Sequence, residues 1–183
     1  MPTMPLEEAV KSITKFYPKF LGDAEEAKEK SKKTIVLSID ASAAIYLYTM
    51  NRGFYKELNK MLRNEDPDAL QPWLAYLKLF ITVLEKLPSC SKTVWRGVRD
   101  RTGTSNLAVS QRFIWWSVNS CTSDIKAAEC FKGDSGALLC INAIYAKDIT
   151  TYSAMKDEEE IIPIPGTCLR IESLSLENTG GWV

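Results

Sequence analysis

The chain has 183 residues, 45% hydrophobic and 25% charged, which fits one soluble globular domain. Its 23 lysines and arginines balance 23 aspartates and glutamates, so it lacks the basic excess of a dedicated nucleic-acid binder. It contains no histidine, which excludes Ser-His-Asp and Cys-His catalysis and histidine-based zinc sites.

From Leu6 to Phe20 the apolar residues Val10, Ile13, Phe16 and Tyr17 recur at helical spacing and predict a helix. The charged, Ala-rich stretch Asp23–Lys33 reads as a solvated helix or a linker. Ala41–Arg63 is a third helical segment, with Ile45, Tyr48, Tyr55, Leu58 and Leu62 on one stripe and a break at Gly53. Asp66 followed by Pro67 makes a helix start, a capping side chain and then a first-turn proline. The stripe Leu70, Trp73, Leu74, Leu77, Phe80, Leu84 continues to Leu87, and Pro88 ends it. Strand-like runs follow at Thr93–Val98, Gln111–Val118, Ala137–Ala143, Glu158–Ile164 and Cys168–Leu176, the last two flanking a Pro165-Gly166 turn. In the last run the apolar phase moves from Leu169 and Ile171 to Leu174 and Leu176, which predicts a bulge or bend. Helices first and strands second, without βαβ alternation, predict an α+β fold with a mostly antiparallel sheet.

The five cysteines Cys90, Cys121, Cys130, Cys140 and Cys168 form no CxxC pair, so they are expected to be reduced and mostly buried. No GxGxxG or GxxxxGK[ST] motif occurs. No apolar run reaches the ~20 residues of a membrane helix, and the N-terminus lacks a signal-peptide layout. An intracellular, cytoplasmic protein without a membrane or nucleic-acid partner is expected. Any chemistry must rest on carboxylates, hydroxyls, arginine or lysine.

Three places could carry it. The run Asp157-Glu158-Glu159-Glu160 leads into Ile161-Ile162 and reads first as a solvated turn. Side chains two apart on a strand share a side, so Glu158 and Glu160 are expected on one face, with Glu159 pointing away. Two carboxylates on one face suit chemistry at a sugar anomeric carbon, where positive charge develops. Arg96, in VWRGV, is either a strand arginine reaching solvent or an acid, or a phosphate clamp. In the second case Gly97 would let a ligand approach the backbone. Ser120, in WWSVNSCTSD, lies among hydroxyls that form turns at strand ends. Alternatively, Ser120 and Thr122 share a strand face and orient a buried carboxylate. Trp115 and Trp116 are expected in the core.

Taken in order, AIYLYTMNRGFYKELNKMLR, TVWRGV, FIWWSVNSCTSDIKAAECF and ITTYSAMKDEEEIIPIPGTCLRI resemble the Arg-Ser-Glu class of mono-ADP-ribosyltransferases. The resemblance implies a split, two-layer sheet core with helices at one side, and NAD bound as substrate in the cleft without a metal. Carried over by residue, it implies that Arg96 contacts the NAD diphosphate and that Gly97 holds the nicotinamide amide. Ser120 positions the catalytic glutamate, and Thr122 keeps a hydroxyl where the family's Ser-Thr-Ser motif ends. Phe131 packs on the nicotinamide. Glu160 hydrogen-bonds the nicotinamide-ribose hydroxyl, and Glu158 serves an arginine acceptor. Cys121 replaces the motif's central threonine, and Val118 replaces the aromatic that precedes it. The expected activity is transfer of ADP-ribose from NAD to an arginine of a protein, with nicotinamide released. The alternatives are an NAD glycohydrolase or a non-catalytic NAD-binding or interaction module. A monomer is expected, with residues 1–183 as one domain: a helical extension over 1–35, a helical part over 36–90 and a β core over 91–183.

Overall fold

The computed structural model describes residues 4–64, 66–99, 108–134 and 136–174. The single helix expected over Leu6–Phe20 is two, α1 (Leu6–Thr14) and α2 (Lys19–Lys30), with Pro18 at the N-cap of the second. A proline has no N–H to continue the first helix's ladder, and its fixed φ suits a helix start. The charged α2 is half-buried, unlike the solvated segment expected. Phe20, Asp23, Ala24 and Ala27 form its inner face, and the two alanines allow close packing on α3 (Ile39–Thr49). Gly53, at φ +95, separates α3 from α4 (Phe54–Asn64), as expected for a residue in the left-handed region.

Asp66 caps α5 (Pro67–Leu70), its carboxylate accepting from the Asp68 and Ala69 amides at 3.0 and 3.4 Å. The apolar stripe beyond it is not one helix. Pro72 sits in a 3-10 turn, Gln71–Trp73, before α6 (Leu74–Lys86). Phe20, Phe54, Trp73, Tyr76 and Phe80 meet in the middle of the helical layer, mostly edge to face, and α1 and α2 share this core with α3 and α6.

The second half is antiparallel throughout its ladders. β1 (Ser89–Val98) pairs with both β3 (Cys121–Thr122) and β4 (Ala137–Asp148). β5 (Glu160–Pro163) pairs with β3 and β4 in turn, so these four strands close on themselves. β2 (Arg112–Trp115) and β6 (Thr167–Arg170) form a separate two-stranded ladder. The α+β expectation holds. Inside the closed strands, Val94, Cys121, Ile141, Ala143, Ala146 and Ile161 form a small second core. Among the described residues, no helix is long and apolar enough to cross a membrane.

Several local expectations are corrected. β1 begins at Ser89, because polar Ser89, Cys90 and Lys92 pair with β4, across a register shift at Ser91, despite lacking an apolar pattern. β6 ends at Arg170, so Leu174 follows the strand rather than continuing it past a bulge; Leu176 lies outside the described residues. Helix α7 (Ile125–Lys132), started by Asp124 accepting from the Lys126 amide, has no counterpart in the predicted elements. Only Cys121 is buried. Cys130, Cys140 and Cys168 are exposed, because α7 and the outer faces of β4 and β6 are left uncovered there. Trp116 is 53% exposed and Trp115 half-buried, since a two-stranded ladder cannot enclose both faces.

Asn59 and Tyr48 tie the helical half to the strand half beside the site. Asn59 of α4 donates to the Val118 carbonyl at 3.0 Å and accepts from the Val118 amide at 2.9 Å. Tyr48 donates to the same carbonyl at 3.1 Å. In Asn59→Ala the buried Val118 amide loses its partner, at a cost of about 2 kcal/mol, or roughly 4–8 °C in Tm for a chain of this size. Thermal unfolding checks this, and an unchanged Tm would show that the Asn59 bridge contributes nothing.

Candidate active site

A cleft of about 540 Å³ opens between the helical layer and the closed strands. Tyr48, Thr49, Tyr55 and Lys56 line it from α3 and α4, and Ala128 and Phe131 from α7. Arg96 and Gly97 reach it from β1, Ser120 to Thr122 from the β3 segment, Glu160 from the start of β5 and Glu158 from the turn before it. Every site residue named from the sequence therefore lines one cavity.

Glu160 is its most constrained member. It opens β5, is 5% exposed and lies opposite Thr122 in the β3–β5 ladder. Its Oε1 accepts a hydrogen bond from the Ser120 hydroxyl, and its Oε2 accepts from the Ser153 hydroxyl at 3.3 Å. Burial pushes the carboxyl from 4.5 up to about 7, and the charge of Glu158 adds to this. The two hydroxyls and Arg96 oppose the shift. Ser153 is itself pinned: its hydroxyl accepts from the Met155 amide at 3.0 Å, and the Ala154 amide donates to Thr49 of α3 at 2.8 Å. Nothing in the sequence marks Ser153. It stands alone in a loop, and only the chain's return past α3 brings it to Glu160.

Arg96 donates to the Ser120 carbonyl, and its guanidinium lies over the Trp115 ring, 5.7 Å from the centroid. Among the described residues it pairs with no acid. A second cavity of about 200 Å³ is lined by Lys56, Arg63 and Arg96 with Tyr48, Tyr55, Asn59, Val118 and Ser120. It presents three cations and no carboxylate. Tyr48 and Tyr55 thus line both cavities, which the apolar stripe of the sequence disguised, and Asn59 lines the second. Asn59, polar on the buried face of α4, was the available signal.

Three expectations change in their reasons. Gly97 lines the cleft, but a side chain there would first strike the Ala128 carbonyl and the Lys132 amide, so helix α7 is what approaches its backbone. Thr122 is buried, and its hydroxyl accepts from the Asp124 amide at 3.0 Å. It helps start α7, and the second hydroxyl on Glu160 is Ser153's. Glu158 and Glu160 do not share a strand face, because Glu158 ends a 3-10 turn, Lys156–Glu158, and Glu159 adopts φ +44. Both nevertheless line the cleft, while Glu159 is exposed. Glu158 is half-buried, which raises its pKa above the ordinary value. Phe131 stands on the α7 wall, 43% exposed. Burial pushes the Cys121 thiol up to about 12, so it is protonated at neutral pH and is no nucleophile.

The cleft thus offers a buried carboxylate fixed by two hydroxyls, a second carboxylate beside it and a cationic end. Among the described residues, no three metal-ligating side chains come together. A family model described as NAD:arginine ADP-ribosyltransferase matches residues 7–175. The chain belongs to this family. It is an NAD-dependent mono-ADP-ribosyltransferase, and NAD is its substrate. Solved ADP-ribosyltransferases share its fold. The eukaryotic mono-ADP-ribosyltransferase ART2.2 is similar at TM-score 0.72 and 20% identity, over 94% of this chain and 80% of that one. HopU1 from Pseudomonas syringae pv. tomato is similar at 0.66 and 21% identity, over 98% of this chain and 85% of that one. ADP-ribosyltransferase Vis is similar at 0.65 and 18% identity, over 97% and 83%. No curated protein matches this ADP-ribosyltransferase.

Proposed function

We propose that this ADP-ribosyltransferase acts as one catalytic domain and transfers ADP-ribose to the guanidinium of an arginine, with Glu160 serving bond cleavage and Glu158 serving the acceptor. The observation that carries this reading is the Glu160 carboxylate, held by Ser120 and Ser153 at the cleft wall with Glu158 beside it. Arg96, with Lys56 and Arg63 near it, takes the diphosphate by charge-assisted hydrogen bonds. Phe131 and the β1 backbone at Gly97 flank the nicotinamide. The C–N bond to nicotinamide breaks, nicotinamide leaves as a neutral molecule, and positive charge develops on the ribose. The Glu160 carboxylate accepts from a ribose hydroxyl and opposes that charge, an interaction stronger in the transition state than in the ground state. An arginine nitrogen then attacks the anomeric carbon while Glu158 takes its proton. Vis solved with agmatine, a small guanidine, and ART2.2 solved with NAD support the choice of acceptor and donor.

Glu158→Gln tests the acceptor half. A guanidinium becomes nucleophilic only when a nearby carboxylate orients it and accepts a proton, whereas water needs less help against an oxocarbenium ion. Labelling of agmatine is expected to fall by about 10²-fold, the usual worth of a general base, with nicotinamide release largely spared. Equal losses would move Glu158 into the bond-breaking apparatus. If the wild type releases nicotinamide without labelling any guanidine, the protein is an NAD glycohydrolase.

A further inference from the structure

We propose that Ser123 is a positioning residue for the acceptor step, acting through Glu159 to hold Glu158 in the cleft; this rests on the acceptor role given to Glu158 above. Three consecutive acids have three different backbones. Glu158 ends a 3-10 turn, Glu159 stands at φ +44 and ψ +51, and Glu160 begins β5. A left-handed glutamate is uncommon and persists only where its surroundings hold it. This one is the joint between the two cleft carboxylates, so whatever holds it sets where Glu158 sits relative to Glu160.

The Glu158 amide donates to the Met155 carbonyl at 3.2 Å, closing the turn on its N-terminal side. On the side chain, Ser123 donates a hydrogen bond to Glu159 Oε2. Among the described residues Glu159 has no other side-chain partner. Ser123 is well placed to hold a joint. Thr122 before it is paired with Glu160 in the β3–β5 ladder, and Asp124 after it caps α7. The segment Ser120–Ser123 thus sends one hydroxyl to Glu160 and one to Glu159, and none to Glu158, which among the described residues has no hydrogen-bonded side-chain partner and can meet an acceptor. Losing Ser123 lets the left-handed joint relax and displaces Glu158. Glu160 keeps both of its hydroxyl partners, Ser120 and Ser153.

The experiment measures agmatine labelling and nicotinamide release in parallel on the wild type, Ser123→Ala, Ser123→Thr, Glu159→Ala, the Ser123→Ala/Glu159→Ala double variant and Glu158→Gln. In Ser123→Ala the labelling per nicotinamide released is expected to fall about tenfold, the scale of a sub-ångström displacement of a reacting group. Ser123→Thr keeps the hydroxyl and restores the ratio. The double variant loses no more than either single one, because both remove the same bond. Thermal unfolding shows whether Ser123→Ala is folded; an exposed bond of this kind shifts Tm by about 2 °C at most. A wild-type ratio in Ser123→Ala, or equal loss of labelling and release, overturns the proposal. If Glu158→Gln lowers the ratio and Ser123→Ala does not, only the Ser123 clamp is refuted. If neither lowers it, the acceptor role of Glu158 has failed and the clamp with it. If Ser123→Ala alone lowers it, Ser123 does not act through Glu158, and the proposal is overturned as stated.

Discussion

Glu160→Gln is expected to reduce ADP-ribosyl transfer and NAD hydrolysis together by about 10²–10³-fold while NAD still binds, because the amide keeps the shape and loses the charge that opposes the developing cation. The same substitution should stabilise the fold above neutral pH. The native Glu160 carboxyl titrates near 7, against 4.5 in the absence of burial. Between those values the folded chain holds a proton that the unfolded chain has released, so stability falls as pH rises through this window and stays low above it. A shift of this size corresponds to about 3 kcal/mol, of which the lost carboxylate hydrogen bonds return part, so a gain of about 1–3 kcal/mol at pH 8 is expected for Glu160→Gln. Melting both proteins across pH 4–8 checks it: the variant's advantage should grow through the window and vanish at its acid end. The same titration sets an acid limb near pH 7 in the wild-type kcat/KM for NAD, since catalysis uses the ionised form. Turnover by Glu160→Gln close to that of the wild type would remove Glu160 from the chemistry.

Arg96→Lys is expected to weaken NAD binding by about 10–100-fold, the cost of one or two charge-assisted hydrogen bonds. Lysine keeps the charge and loses the planar fork that can hold the Ser120 carbonyl and still present donors to a diphosphate. It also loses the flat face that lies over Trp115. Because Arg96 fixes the backbone of the residue that holds Glu160, turnover of bound NAD should fall as well. Calorimetry with NAD separates the two effects from steady-state rates. An unchanged dissociation constant would make Arg96 a structural strand residue.

The outcome for the acidic run shows how pattern and structure divide the work. Strand alternation paired Glu158 with Glu160, and both do line one cleft, but for a reason that alternation does not supply. Their common cleft comes from a 3-10 turn and a left-handed Glu159, and period-2 reasoning cannot see either. Gly97 is similar. The sequence shows a glycine inside an apolar strand, but only the docking of α7, a helix missing from the sequence reading, shows which backbone comes near it.

What the sequence determined by itself was local or additive. The absence of histidine removed whole mechanisms. The break at Gly53 and the cap at Asp66 depend on single residues and their immediate neighbours, and both are realised. The order of the Arg96, Ser120 and Glu160 motifs, with the helical lead-in before them, carried the family resemblance, because each motif is short and contiguous. Tertiary structure decided the partners. Ser153 and Ser120 meet on Glu160 only once β3, β5 and β4 have closed with β1. Asn59 meets Val118 across 59 residues of chain, and Tyr48 meets it across 70. A buried polar group must find a partner, but nothing local says which of several hydroxyls or amides it will be. That choice is made by packing, when the helical layer and the closed strands are pressed together around the cleft.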